Sequence, residues 1–94
     1  MGTFEASTAF RRAFASLTEA DRERFKTAAK QFSDDLNRNG FSKGLRLKKL
    51  QGRNDEWEIT FAPDGRAVFR YGESVRPGVR HVEWLAIGTH DDLF

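Results

Sequence analysis

The chain has 94 residues, a formal net charge of +2, nine phenylalanines, two tryptophans and no cysteine. This length predicts one domain, residues 1–94, with an aromatic core, and the lack of cysteine excludes disulfides and thiolate chemistry. No stretch has the length of a membrane span or the pattern of a signal peptide, so we expect a soluble, cytoplasmic protein.

Residues 1–40 predict a helical hairpin that follows a short edge strand around Phe4. Ser7 is a suitable N-cap for a first helix. Thr18, followed by acidic residues in the first turn, is a suitable N-cap for a second. Apolar residues at helical spacing form one stripe on each helix, which we assign to the core. The second helix is predicted to end at Asn39-Gly40.

The rest of the chain predicts strands. Residues 45–50 alternate and then slip in register, and a hairpin over residues 56–71 turns at Pro63-Asp64-Gly65, with Gly65 in the left-handed conformation. Residues 72–78 are predicted to be a loop, and 79–87 a last strand that Gly88 ends. The order predicts an α+β fold, in which the helical hairpin packs on one face of a small antiparallel sheet. The opposite face is left partly bare for Arg66 and other polar side chains.

The charges are segregated. Six basic residues and no acid lie between Arg38 and Arg53, and four more arginines lie between Arg66 and Arg80. Such a distribution produces a local positive field that attracts a polyanion. A solvated basic surface with no ligand fits the same pattern.

The catalytic residues available limit the chemistry. Two histidines and scattered carboxylates give no metal-ligand spacing, and no phosphate-cradling glycine loop or serine-nucleophile motif is present. What remains is His90, several arginines and Asp64, a set compatible with metal-free cleavage of RNA by its own 2′-hydroxyl. In that reaction the protein moves protons and stabilises a phosphorane, which histidine and arginine can do.

Three segments together resemble one family. They are residues 44–50 (Gly-Leu-Arg-Leu-Lys-Lys-Leu), residues 62–66 (Ala-Pro-Asp-Gly-Arg) and the ending Gly88-Thr-His-Asp-Asp-Leu-Phe94. With them the chain resembles the RelE/ParE superfamily of type II toxins, and within it the YafQ-like and HigB-like ribosome-dependent mRNA interferases. The resemblance implies a RelE-like fold and an endoribonuclease that cuts mRNA in the ribosomal A site without a cofactor. It also implies an antitoxin partner that inhibits the toxin and tethers the pair to operator DNA.

The resemblance also implies roles for residues. His90 matches the catalytic histidine of the YafQ-like ending, Asp64 an acidic residue of that group, and Arg66 a transition-state arginine of RelE-like members. Thr60 departs from the pattern, because YafQ-like members have a second catalytic histidine there, so the general base stays unassigned. The residues expected to bind phosphates of mRNA or ribosomal RNA are Arg46, Lys48, Lys49, Arg53 and Arg70.

Two other functions stay open at this point. A ParE-like inhibitor of DNA gyrase would share the fold without nuclease chemistry, because a fold does not fix a function. A non-catalytic nucleic-acid-binding or repressor subunit would need only the basic surface. Structural roles also stay open for the site residues: Asp64 as a turn former, His90 as a surface histidine, and Arg66 as a partner of Glu58 across the hairpin.

Overall fold

A computed structural model describes residues 3–38, 40, 43–52, 55–76 and 79–94, and these residues form five strands, three α-helices and one 3₁₀ turn. The elements in chain order are β1 (Thr3–Ala6), α1 (Thr8–Ala15), α2 (Glu19–Arg38), a 3₁₀ turn (Lys43–Leu45), β2 (Lys48–Lys49), β3 (Glu56–Thr60), β4 (Gly65–Arg76), β5 (Val79–Thr89) and α3 (His90–Leu93). None of the helices within these ranges is long and apolar enough to cross a membrane.

The strands form one sheet in the order β1-β5-β4-β3-β2. Three of its neighbouring pairs are antiparallel, whereas β1 pairs with β5 in parallel. Helices packed on this sheet confirm the predicted α+β class. The sheet is mixed rather than wholly antiparallel, because the N-terminal strand lies alongside the last strand in the same direction.

Local capping explains where the two long helices begin. The Phe10 N–H donates to the Ser7 hydroxyl (3.0 Å) at the start of α1, and the Asp21 N–H donates to the Thr18 hydroxyl (3.1 Å) at the start of α2. Both caps satisfy an N–H group that the helix itself leaves without a partner. The predicted end of α2 at Asn39-Gly40 falls partly outside the described residues, because Asn39 is not among them.

Aromatic side chains from the helices pack on one face of the sheet, which we call the helix face. The ring centroids of Phe25 and Trp84 are 5.1 Å apart, with the rings edge-on. Those of Phe32 and Phe69 are 4.7 Å apart, with the rings tilted. Such pairs add to the stabilisation that burial provides. The helical stripes are therefore core, as predicted. Side chains alternate along a strand, so Glu58, Thr60, Arg66 and Arg70 project from the opposite side, the open face.

Two predictions about the C-terminal half are wrong. Residues 72–76 belong to β4 rather than to a loop, and β5 continues through Gly88 to Thr89. Gly72 and Gly88 are both paired in the β4–β5 ladder, opposite His81 and Arg66. A Cβ at Gly72 would lie 2.8 Å from Glu83 Oε1, so this glycine leaves room for a cross-strand side chain and does not break the strand. Pro77 and Gly78 lie outside the described residues.

The predicted strand over residues 45–50 is much shorter in the structure. Only Lys48 and Lys49 pair with β3, whereas Leu45 is buried at the end of the 3₁₀ turn. Arg46 takes a φ of 47°, which breaks the extended backbone before Lys48. The slip in the apolar alternation of the sequence therefore corresponds to the non-extended backbone that precedes β2 at the edge of the sheet.

The turn between β3 and β4 forms at the predicted residues, but Gly65 has a different role from the predicted one. The Gly65 N–H donates to the Ala62 carbonyl (3.0 Å), which closes a turn around Pro63 and Asp64. Gly65 is not left-handed, contrary to the prediction; the only described glycine with a positive φ is Gly52. Gly65 is needed instead for space, because a Cβ there would lie 2.6 Å from the Phe61 ring.

Replacing Gly65 with alanine is expected to destabilise the fold by about 1–3 kcal/mol, the usual cost of overpacking a well-packed site. The Phe61 ring is 91% buried and cannot move away freely. Chemical denaturation of the purified chain would measure the change. Gly44→Ala is the matched control, because nothing lies within 4 Å of a Cβ at that position. Equal stability of the two variants would contradict the steric account.

Candidate functional site

The C-terminal tail is fixed to the hairpin turn by main-chain contacts. Thr89 and Asp92 form a capping box, in which the Asp92 N–H donates to Thr89 Oγ1 (3.1 Å) and the Thr89 N–H to Asp92 Oδ2 (3.2 Å). The box begins α3 at His90. The His90 N–H then donates to the Asp64 carbonyl (2.9 Å), so the first residue of α3 is held against the β3–β4 turn.

Arg66 lies at the same end of the sheet and on the face that α3 covers. It pairs with Gly88 across the β4–β5 ladder, and directly paired residues project from the same face. A Cβ at Gly88 would meet the Asp92 carboxylate at 3.2 Å. Helix α3 therefore lies over Gly88 on the open face, beside the strand position from which Arg66 projects.

The Arg66 guanidinium folds back onto the turn. Its Nη1 donates to three carbonyls, those of Gly65 (3.0 Å), Ala62 (3.4 Å) and Pro63 (3.4 Å). Among the described residues, no carboxylate pairs with Arg66, and its Nη2 and Nε make no hydrogen bond. The carbonyls thus orient a permanent positive charge and leave donors for an anion. The pairing with Glu58 considered from the sequence is not formed: Arg66 stands opposite Thr60, and Glu58 binds Lys48.

The imidazole of His90 is half exposed, and within the described residues neither ring nitrogen forms a hydrogen bond. Asp91 Oδ1 lies 3.8 Å from Nδ1 in a solvated contact. The Phe94 ring lies 5.2 Å from the imidazole, centre to centre, and the Phe94 N–H donates to the His90 carbonyl (3.0 Å). The ring is thus supported on one side and exposed over about half of its surface.

Asp64 is exposed and contributes its main-chain carbonyl, which accepts from His90. Its carboxylate forms no hydrogen bond or ion pair with the described residues. The turn-forming role is therefore realised in the structure, and a catalytic role for the carboxylate stays a prediction.

The basic residues predicted to bind RNA are divided between the two faces. Lys48 pairs with Glu58 in the register of the sheet, and its Nζ lies 3.1 Å from Glu58 Oε1 on the open face. Lys49 projects from the other face, with its Nζ 6.0 Å from the centre of the Trp57 ring. Only Lys48 of this pair shares a face with Arg66.

The remaining predicted RNA contacts are Arg70, Arg46 and Arg53. Arg70 projects from the open face four residues beyond Arg66, about 13 Å along the strand, and binds Glu83 (3.3 Å). Arg46 is exposed next to β2. Arg53 lies outside the described residues. The structure thus places the His90 main chain and Arg66 at one end of the open face. Lys48 shares that face but lies on the edge strand, in the register of Val68 midway between Arg66 and Arg70, and Lys49 projects from the helix face.

The sequence reasoning did not identify Glu58 as a buried partner of Lys48 on the open face. Its side chain is only 3% exposed, although alternation along β3 placed it on the polar face. Alternation predicts a face but not how deeply neighbouring side chains cover it. The available sequence signal was an acid between the two apolar residues Trp57 and Ile59.

No protein-family model matches the sequence, and no curated protein matches it significantly. Solved structures do match in fold. A mutant toxin from Helicobacter pylori has a TM-score of 0.70 at 15% identity, with 100% of both chains covered. The toxin–antitoxin complex DinJ–YafQ from Escherichia coli has a chain with a TM-score of 0.68 at 16% identity, covering 99% of this chain and 97% of that one.

A third match is to the antitoxin–toxin complex RelB–RelE from Methanococcus jannaschii. Its TM-score is 0.62 at 14% identity, with 94% of this chain and 92% of that chain covered. The chain therefore has the fold of the RelE-like toxins, and the resemblance stated from the sequence is confirmed as a likeness of fold.

Proposed function

We propose that this chain is the toxin of a type II toxin–antitoxin system and acts as a ribosome-dependent endoribonuclease on mRNA in the cytoplasm. The observation that carries the proposal is the hydrogen bond from the His90 N–H to the Asp64 carbonyl. It holds the main chain of His90, whose ring nitrogens form no hydrogen bond with the described residues, at the end of the open face where Arg66 projects. The likeness of fold to solved toxins supports the same reading.

The reaction that fits these groups uses the substrate's own nucleophile. The 2′-oxygen of a nucleotide attacks the adjacent phosphorus while the bond to the 5′-oxygen breaks, giving a 2′,3′-cyclic phosphate and a 5′-hydroxyl. His90 donates the proton to the leaving 5′-oxygen, since imidazole gives and takes protons near neutral pH. The proton of the 2′-hydroxyl passes to a general base. This base stays unassigned, and Asp64 is the candidate that the sequence offers.

Arg66 stabilises the charge that develops on the phosphorus. Its Nη1 is bound to the turn carbonyls, whereas Nη2 and Nε make no hydrogen bond with the described residues, so these two donors can reach non-bridging oxygens. A guanidinium matches two phosphate oxygens in a fork and keeps its charge at every working pH. Preorganised donors of this kind are most effective where water is excluded, which the ribosome would provide.

The partners follow from the same proposal. An antitoxin would bind this chain, as expected from the solved toxin–antitoxin complexes of similar fold, and would place the pair on operator DNA. Its acidic or amphipathic segment would cover the open face around Lys48 and Arg66. The ribosome and mRNA would occupy that face in its absence.

Inducing the chain in bacteria and mapping mRNA 5′ ends within minutes tests the proposal. We expect cuts at a fixed position within codons, and no cuts in a matched reporter whose start codon has been removed. Intact mRNA together with a DNA-damage response would instead indicate gyrase poisoning of the ParE type. Growth without arrest and without cuts would leave only a binding role.

A further inference from the structure

Glu58 is a charged residue buried in the middle of the open face. One of its oxygens, Oε1, binds Lys48 Nζ at 3.1 Å, and the lysine side chain is 65% exposed whereas that of Glu58 is 3% exposed. The other oxygen, Oε2, is buried and has no hydrogen-bond partner among the described residues. Buried carboxylate oxygens in folded proteins are normally bonded.

Stability does not account for this arrangement. Removing a carboxylate from water is expensive, and a single partner rarely offsets the expense unless the remaining lone pairs are also satisfied. Here the partner, Lys48, is mostly exposed to water, and Glu58 Oε2 has no hydrogen-bond partner among the described residues. The cross-strand neighbour of Glu58 is Val68, which is 1% exposed, so an apolar side chain of similar size would suit this position well.

The ion pair does constrain Lys48. Strand β2 is two residues long and forms the edge of the sheet, and lysine carries a flexible four-carbon chain with much rotamer freedom. Glu58 holds its ammonium over the open face. Thr60 projects from the same face two residues after Glu58 and pairs with Arg66. Lys48 pairs with Glu58 from the next strand, so it lies two strands and two residues from the arginine position.

We propose that Glu58 is a positioning residue: it fixes the ammonium of Lys48 so that this charge binds a phosphate of single-stranded RNA next to the phosphate held by Arg66. The role rests on the proposed function. Glu58 itself does not touch RNA, because its free oxygen is buried. It acts through Lys48, and the ligand it serves is the negatively charged backbone rather than a base.

The first test compares variants of the full chain in cleavage of mRNA on programmed ribosomes and in thermal unfolding. Glu58→Met is expected to keep or raise the melting temperature, because it replaces an unsatisfied buried charge. Cleavage is expected to fall about tenfold to a hundredfold, the worth of one charge-assisted hydrogen bond. Glu58→Gln, which keeps the shape and one acceptor, is expected to lose less activity than Glu58→Met.

Glu23→Gln is the matched control. It raises the net charge by the same amount as Glu58→Gln and removes another Lys–Glu pair, the exposed contact of Glu23 with Lys26 (3.5 Å). Its activity is expected to equal that of wild type. A Glu58→Gln or Glu58→Met chain that is as active as wild type would overturn the positioning role while leaving the proposed function intact. A wild-type chain that cuts no RNA would overturn the proposed function, and the inference with it.

A double-mutant cycle separates action through Lys48 from direct action. In a Lys48→Gln background, Glu58→Gln is expected to change cleavage by less than about twofold, because the ammonium that Glu58 positions is already gone. If Glu58→Gln lowers cleavage by the same factor with and without Lys48, the carboxylate acts on the RNA itself and the proposal is wrong.

Discussion

His90→Ala is expected to lower the rate of mRNA cleavage about 10²- to 10⁴-fold, the usual contribution of a general acid or base, and to abolish growth arrest. The reason is local. His90 is held to the turn through its main chain, which the substitution keeps, so the variant loses the imidazole and little else. Its half-exposed side chain lies against the ring of Phe94 and near Asp91, and we expect stability to change by less than about 1 kcal/mol.

His81→Gln is the matched control, because it replaces the other histidine of the chain. His81 joins β1 to β5: its Nδ1 lies 2.8 Å from Thr3 Oγ1 and its Nε2 3.0 Å from Glu5 Oε1. We expect this variant to lose some stability and to keep its toxicity. Rates would be measured on programmed ribosomes with purified protein. Full toxicity of His90→Ala would rule out the histidine mechanism.

The helical half of the fold was predictable because its signals act within one turn of chain. Ser7 and Thr18 each cap the helix that follows them, and the apolar spacing on α2 defines its buried side without reference to any other element. The sheet was less predictable. Gly72 and Gly88 have the local chemistry of chain breaks, but the long β4–β5 ladder includes both, and pairing between distant residues is not readable from either glycine.

The candidate site shows the same division. His90, Arg66 and Asp64 were identified from the tail, the turn and the family resemblance, and the bond between His90 and Asp64 brings their elements together. Alternation along β2 predicts that Lys48 and Lys49 project from opposite faces of the sheet. Which of them shares a face with Arg66 depends on the register between β2 and β3. The burial of Glu58 depends on side chains from several strands, so no local pattern could reveal it.

Arg66→Ala is expected to reduce cleavage about 10²- to 10³-fold, the range found when one preorganised donor to a developing charge is removed. The substitution removes three hydrogen bonds to the turn carbonyls at 3.0–3.4 Å. These lie at a partly solvated surface, so stability should fall by no more than about 1 kcal/mol. A large loss of activity with a small loss of stability is the signature of a residue that acts on the substrate.

Arg66→Lys refines this prediction, because it keeps the charge but not the planar fork. Lysine presents a compact charge without the planar fork that matches two oxygens of one phosphate, so we expect it to restore only a small part of the lost rate. Arg24→Ala is the matched control: Arg24 is an exposed arginine on α2, paired with Asp21 (2.9 Å), and its loss should leave cleavage unchanged. If Arg66→Lys were as active as wild type, a simple positive charge would suffice at this position and the forked contact to the phosphate would be wrong.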